Sequence, residues 1–109
     1  RNALQEVLHM NNEESLYEIL SKRVYDGRGV PQHDHGGLVR WVVYGVEPGD
    51  FLQAVLKNDL REAIGRADDI NRHSLFAIVS WLYNEAPGGC WGSEEKYNNW
   101  IGTGIGNGQ

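Results

Sequence analysis

The side chains with the most evident capacity for chemistry are His33, Asp34 and His35, three consecutive residues that could each offer a ligand to a metal ion. Neighbouring side chains of an extended segment point to opposite sides. No cysteine or glutamate close by in the sequence completes a coordination set. We therefore predict structural or solvent-exposed roles here and no metal site, with His33 and His35 as the weak candidates if a metal were bound.

The single cysteine, Cys90, lies beside Trp91 and just before a predicted helix N-terminus, where the helix dipole would lower a thiol pKa. A lone cysteine next to a tryptophan is nevertheless more often a small, packed apolar residue. A lone cysteine also excludes an internal disulfide and fits a reducing cytoplasm. We expect Cys90 to have a packing role, and the sequence offers no coherent catalytic set.

Charged residues near the middle of the chain give a second kind of candidate site. Asp59 falls on or beside the apolar stripe of a helix predicted over residues 48–67, where a carboxylate costs free energy unless it is paired. We predict that it is either a buried anchor paired with an arginine or a carboxylate facing a ligand cleft. Arg66 and Arg72 flank the next helix junction and could bind an anion there. The candidate binding residues are Asp59, Arg66, Arg72 and Trp91.

Helical periodicity dominates the chain, and no stretch alternates cleanly as a half-buried strand would. Apolar residues at three- and four-residue steps predict helices over residues 12–25, 35–44, 48–67, 70–85 and 94–101. The helix over 70–85 is apolar around most of its circumference, so we expect it to be the most buried element. The sequence predicts an all-α fold, a compact bundle of four to five short helices, with the helices over 48–67 and 70–85 packed together at its centre.

The predicted helix ends carry local signals. Asp34, Asp50 and Ser93 are suited to N-cap positions, because their side-chain oxygens can accept from free backbone N–H groups. Gln53, three residues after Asp50, completes a capping-box spacing. Gly45 suits the position that follows a helix.

Composition sets limits on the class of protein. With 109 residues, of which 40% are hydrophobic, the chain is long enough for one small globular domain. The net charge of −5 argues against nonspecific nucleic-acid binding, because phosphate contacts need clustered lysine and arginine. No apolar run is long enough to cross a bilayer. We assign residues 10–101 to a single helical domain and 102–109 to a flexible, Gly-rich tail. Residues 1–9, upstream of the only methionine, are expected to be an upstream extension, a cloning remnant or a processed leader.

Three segments between residues 30 and 100 together resemble a group of small uncharacterised proteins encoded by bacteriophages and prophages. The segments read VPQHDHGGL, YGVEPGDFLQAVLKNDLREAIGRADDIN and LYNEAPGGCWGSEEKYNNW. The resemblance implies a phage accessory protein that acts in the cytoplasm of the bacterial host. It carries over no catalytic residue, since no activity is established for that group.

These observations favour a non-enzymatic phage-type accessory protein that binds a host macromolecule, a host protein in particular, and inhibits a defence or regulatory system. Four tryptophans and five tyrosines in a short chain fit a partner interface. The alternative is an oligomeric protein that binds or sequesters a nucleotide signal, with Arg66 or Arg72 and aromatic side chains in a shared pocket. An enzyme is the third hypothesis. We expect no cofactor, no membrane contact and no nucleic-acid partner, and a homo-oligomer is an open alternative.

Overall fold

Short α-helices form nearly all the regular structure of residues 29–105, the part of the chain that the computed structural model describes. In chain order they are α1 (Gln32–Tyr44), α2 (Asp50–Leu56), α3 (Leu60–Arg66), α4 (Asp69–Glu85), a 3-10 turn (Gly88–Cys90) and α5 (Glu94–Trp100). No strand occurs within these residues. The prediction of an all-α bundle of short helices is confirmed. The helix predicted over 12–25 and the extension assigned to residues 1–9 lie outside the described residues.

Helix α1 begins three residues earlier than predicted. Pro31, with φ −61° and ψ 142°, occupies the N-cap position, so Asp34 lies inside the first helical turn and is not the cap. Proline favours such a start because its fixed φ suits the helix and its missing N–H needs no acceptor there. Gly45 ends the helix in the left-handed region, with φ 71°, and its N–H donates to the carbonyl of Trp41 at 2.9 Å. The role predicted for Gly45 is confirmed.

The centre of the core is α1, and the prediction that the helix over 70–85 is the most buried element is wrong. Helix α4 has an apolar inner side, but it leaves Phe76 85% exposed and Tyr83 79% exposed. Periodicity shows which faces of a helix are apolar, whereas the number of neighbours that cover those faces depends on the tertiary packing. The fully buried residues of α1 are Leu38, Val39, Trp41, Val42 and Val43.

The single long helix predicted over residues 48–67 is in fact two helices, α2 and α3. Asn58 between them has a positive φ of 64°, which asparagine tolerates better than most residues. The N–H groups of Asn58 and Asp59 donate to the carbonyls of Val55 and Ala54 at 3.0 and 2.9 Å. This pair of bonds is the Schellman arrangement that ends a helix. In α3 the apolar residues Leu60 and Ile64 are 65% and 45% exposed, so the buried apolar stripe does not continue across the break.

The start of α2 also differs from the predicted capping box. Gly49 is the N-cap residue, and Asp50 is the first helical residue. The Asp50 carboxylate instead accepts from the guanidinium of Arg66 at 2.9 Å. The Gln53 side-chain amide donates to the carbonyl of Pro48 at 2.8 Å. In a capping box the side chain at this position would accept from the backbone N–H of the N-cap residue. The Gln53 amide instead donates to a carbonyl, so the predicted capping box does not form.

Helix α5 closes the bundle over α1. Ser93 caps it as predicted, accepting from the N–H of Lys96 at 3.1 Å. The ring of Tyr97 stacks on that of Trp41 with centroids 4.5 Å apart and planes 14° apart. The indole N–H of Trp100 donates to the Trp41 carbonyl at 2.9 Å. The C-terminal helix is therefore attached to α1 by both aromatic stacking and hydrogen bonds.

Residues 102–105, the start of the segment 102–109 that is predicted to be a flexible tail, form backbone hydrogen bonds with Gly45 and the end of α1. The N–H of Gly102 donates to the carbonyl of Gly45 at 2.9 Å, and that of Ile105 donates to the carbonyl of Val42 at 3.0 Å. Gly104 is buried between them, with a positive φ of 66°. The start of the glycine-rich segment thus packs along the end of α1, and residues 106–109 lie outside the described residues.

Candidate functional site

The histidines of the first turn of α1 have separate partners. The Nε2 atom of His35 is 2.9 Å from the carbonyl oxygen of Val30. The Nε2 atom of His33 lies 3.6 Å from Asp34 Oδ1 and 3.7 Å from Asp68 Oδ2. Across residues 29–105, no group of three or more His, Cys, Asp or Glu side chains is arranged to hold a metal ion. The two weak metal candidates therefore do not converge on one point.

A cleft of about 580 Å³ opens beside this turn, between α1, the start of α2 and the start of α4. We call it the acidic cleft, because carboxylates outnumber guanidinium groups in its lining. Its apolar wall is formed by Val46, Phe51 and Leu52. Its charged side chains other than histidine are Asp34, Glu47, Asp50, Asp68, Arg40 and Arg66.

Two polar residues of the acidic cleft are nearly inaccessible to solvent. Asp34 is 5% exposed and Asn71 is 6% exposed. The Oδ2 atom of Asp34 and the Oδ1 atom of Asn71 have no hydrogen-bonding partner within the described part of the chain. Burial raises the pKa of Asp34, and the nearby Asp68 raises it further, while His33 and His35 act in the opposite direction. Ionisation of Asp34 therefore costs free energy in this environment.

Asp34 and Asn71 were not predicted from the sequence to be two buried polar residues of the same site. A helical signal for Asn71 existed, because it precedes Leu75, Ile78 and Leu82 at spacings that place all four residues on one helix face. The sequence predicts Asp34 as an N-cap residue, whereas in the structure it lies within the first turn of α1 and is buried. Their place in the lining of one cleft follows from the tertiary arrangement of α1 and α4, which no local pattern contains.

Asp59 has a different role from the buried ion pair considered for it. It is exposed, and its Oδ1 atom accepts from the N–H of Glu62 at 3.2 Å, which makes it the N-cap of α3. The interpretation of Asp59 as a charge on an apolar stripe is wrong, because α2 ends at Leu56 and Asn58, with its positive φ, separates Asp59 from that helix. Asp59 also borders a shallow cleft of about 300 Å³ together with Lys57 and Arg66.

Replacing Asp59 by alanine is expected to lower the free energy of unfolding by about 1 kcal/mol, the usual effect of losing an N-cap side chain. Asp59→Asn keeps the capping oxygen, so its free energy of unfolding should be close to that of the parent protein. Urea denaturation followed by circular dichroism measures both variants. Equal losses in the two variants would show that the charge of Asp59, and not its cap, stabilises the fold.

Arg66 and Arg72 are both engaged with carboxylates. Arg66 donates to Asp50 at 2.9 Å and to Glu62 at 3.0 Å. Arg72 donates to Asp69 at 3.0 Å. Both arginines are about half exposed, so these pairs are worth little individually. An anion at either arginine would nevertheless have to compete with a carboxylate that is already in place.

Trp91 lies in a third location, and the four candidate binding residues do not form one site. It is half-buried and lines a second cleft of about 580 Å³ with Tyr83 and Lys96. Asp59 and Arg66 share the shallow cleft at α2 and α3, whereas Arg72 pairs with Asp69 at the start of α4. The structure brings only Asp59 and Arg66 together.

Cys90 is fully buried. Burial raises the pKa of its thiol to about 12, with weaker opposing contributions from hydrogen bonds and Lys96. A thiol with such a pKa holds almost no thiolate near pH 7, and the thiolate is the nucleophile. Its backbone carbonyl accepts from the indole N–H of Trp41 at 2.9 Å, so the residue contributes to packing.

Residues 29–105 thus define a class, a small all-α domain whose open clefts are lined by charged and aromatic side chains. Comparison with known proteins adds no narrower assignment: no protein-family model matches the chain, and no match was found among curated proteins or solved structures. None of the helices between residues 29 and 105 combines the length and the apolar character needed to cross a membrane.

Proposed function

We propose that this chain is a non-enzymatic, phage-type accessory protein that binds a host protein through the α4 outer face, the surface formed by Phe76, Ser80 and Tyr83. The observation that carries the proposal is the exposure of two large aromatic side chains on one helix, 85% for Phe76 and 79% for Tyr83. Their spacing of seven residues, with Ser80 between them, places them along one side of α4.

Exposed aromatic surface of this kind is typical of protein interfaces. Burying one such side chain contributes about 1.5–3 kcal/mol, and tyrosine and phenylalanine are enriched where protein partners meet. Large aromatic anchors also carry much of the binding free energy in measured interfaces. A partner that covered Phe76 and Tyr83 would therefore gain affinity from both residues.

A small pocket beside Phe76 supports a protein partner. Its volume is about 130 Å³, and Ala77, Ser80 and Trp81 form part of its wall. Trp81 is 3% exposed, and its indole N–H has no acceptor among the described residues. A buried N–H without an acceptor costs about 1–3 kcal/mol. A backbone carbonyl of a partner protein is a suitable acceptor, and it would accompany an apolar side chain placed against Phe76.

In this proposal the protein acts in the cytoplasm of a bacterial host, and its target belongs to a defence or regulatory system. The resemblance of the sequence landmarks to phage proteins supports the setting. The net charge of −5 favours a protein target over nucleic acid. The nucleotide-binding alternative has less support, because Arg66 and Arg72 already donate to carboxylates.

The test is quantitative affinity capture from bacterial lysate with the parent chain and with Phe76→Ser and Tyr83→Ser. We expect one bacterial protein to be captured by the parent, and its purified form to bind each variant at least about tenfold more weakly. Leu60→Ser is the matched control, since Leu60 is 65% exposed on α3 and lies outside the α4 outer face. It should bind like the parent.

Equal binding by all four proteins would overturn the assignment of the α4 outer face. Melting temperatures add a second criterion. Because Phe76 is 85% exposed, Phe76→Ser should shift the melting temperature by no more than about 2–4 °C, in line with a surface change of about 0.5 kcal/mol. A larger fall would mean that Phe76 packs within the chain, which would count against a docking role.

A further inference from the structure

Two residues that line the acidic cleft, from two different helices, each carry a buried oxygen atom. They are Asp34 of α1 and Asn71 of α4, each at least nine-tenths buried, and each has one oxygen without a hydrogen-bonding partner in the described part of the chain. We propose that the acidic cleft binds the ammonium or guanidinium head group of an alkyl chain, with Asp34 Oδ2 and Asn71 Oδ1 as its acceptors.

The required ligand chemistry follows from the atoms that lack partners. A carboxylate oxygen and an amide oxygen both accept hydrogen bonds, so their complement is a donor that carries several N–H groups. A cationic donor fits better than a neutral one, because four carboxylates and two guanidinium groups line the cleft. Charge-assisted hydrogen bonds to a carboxylate are also the stronger kind. A cation beside Asp34 would lower the free energy cost of its ionisation.

The size and wall of the cleft favour an organic cation over a metal ion. Its volume of about 580 Å³ far exceeds the space of a single ion, and within residues 29–105 no group of three or more His, Cys, Asp or Glu side chains is arranged to hold a metal ion. Val46, Phe51 and Leu52 contribute an apolar wall to the same cleft. A chain of methylene groups can pack against this wall while its charged end reaches Asp34 and Asn71.

The basic groups of the cleft form no hydrogen bond with these two oxygens in the described part of the chain. Arg66 is held by Asp50 and Glu62. The Arg40 guanidinium lies over Gly36, so close that a Cβ on that glycine would be 2.8 Å from the Nη1 atom of Arg40. His33 is nearer to the other oxygen of Asp34, Oδ1, at 3.6 Å.

The head group could come from a free small amine or from a lysine or arginine side chain of another protein, and both sources share the same chemistry. The acidic cleft is lined by residues other than those of the α4 outer face. The inference therefore goes beyond the proposed function and does not depend on it. Failure to capture a host protein would therefore not count against cation binding by the acidic cleft.

The test on the parent chain is a titration followed by two-dimensional amide NMR, with agmatine and putrescine as cationic probes. Neutral 1,4-butanediol is the control for the methylene chain. We expect saturable shifts at the amides of Gly37, Gly49 and Asn71 with the cations, at dissociation constants near or below about 1 mM, and no saturable shifts with butanediol. A blocked Gly-Arg-Gly peptide tests the protein-borne source: saturation by agmatine alone indicates a free amine, and saturation by the peptide indicates an arginine side chain.

Two substitutions locate the binding. Asp34→Asn removes the buried charge and should weaken agmatine binding at least about tenfold. Asn71→Ala removes only the amide oxygen, should weaken binding by several fold, and serves as the test if Asp34→Asn does not fold. Asp69→Asn is the matched control: it removes one carboxylate charge next to the cleft from a side chain that is 89% exposed, and its affinity should stay within about twofold of the parent.

Three results would overturn the proposal. They are the absence of saturable shifts with every cationic probe, equal shifts with butanediol, and unchanged agmatine affinity in a folded Asp34→Asn or Asn71→Ala variant. Each result is obtained on a protein whose folding is checked by the dispersion of the same spectra.

Discussion

Replacing Trp41 by alanine is expected to lower the free energy of unfolding by about 3–5 kcal/mol, the range for removing a large aromatic residue from a core. Trp41 is fully buried, stacks on Tyr97, and donates its indole N–H to the carbonyl of Cys90. The substitution therefore removes apolar contacts, an aromatic pair and a hydrogen bond at once. Since small domains have stabilities of about 5–15 kcal/mol, much of the folded population should be lost at moderate urea concentrations.

Trp41→Phe separates these contributions. Phenylalanine keeps most of the apolar volume and the ring stacking on Tyr97, but it leaves the Cys90 carbonyl without its donor, which should cost about 1–3 kcal/mol. Phe76→Ala is the exposed control and should change stability by less than about 0.5 kcal/mol. Urea denaturation followed by far-ultraviolet circular dichroism measures all three variants. A loss in Trp41→Ala no larger than that in Phe76→Ala would contradict the central position of α1.

The second large effect is expected at Gly104. Its φ of 66° costs a side-chain-bearing residue about 1–2 kcal/mol, and a Cβ at this position would overlap the backbone of Val43. Backbone atoms cannot move aside as a flexible side chain can. Gly104→Ala should therefore displace residues 102–105 from α1, break the bond from Ile105 to Val42, and lower stability by at least about 2 kcal/mol.

Gly102 provides a matched control for Gly104. Its φ is also positive, at 77°, but nothing lies within 4 Å of a Cβ built there. Gly102→Ala should therefore show the conformational cost alone, about 1–2 kcal/mol. Thermal unfolding measures the difference, and hydrogen exchange of the Ile105 amide reports its bond to Val42. Equal stability losses and a protected Ile105 amide in both variants would mean that the contact with Val43 has no special cost.

The elements that depend on local signals were predicted well. Ser93 and Gly45 occupy the cap positions expected from the sequence, because a cap involves residues only a few positions apart. The break at Asn58 was missed although its signal is also local. Asn58 is a residue type that tolerates positive φ, and Asp59 after it is a good N-cap. The helical spacing of apolar residues continues on both sides of this pair, so periodicity alone predicts one unbroken helix.

The candidate site was predicted only in part. Arg66, predicted as an anion-binding residue at a helix junction, lines both the acidic cleft and the shallow cleft, whereas Trp91 lies in a separate cleft. Asp34 and Asn71 are 37 positions apart in the numbering. Their placement in one cleft requires the packing of two helices, and the burial that leaves their oxygens without partners arises from that packing.

By itself, then, the sequence determined the all-α class, the approximate helices and several of their ends, since these depend on periodicity and on contacts within a few residues. The tertiary structure decided that α1 is the centre of the core, that residues 102–105 pack along it, and that the outer side of α4 leaves Phe76 and Tyr83 exposed. It also decided which polar atoms are buried together. Burial depends on how many elements cover a face, and that is a property of the whole packed chain.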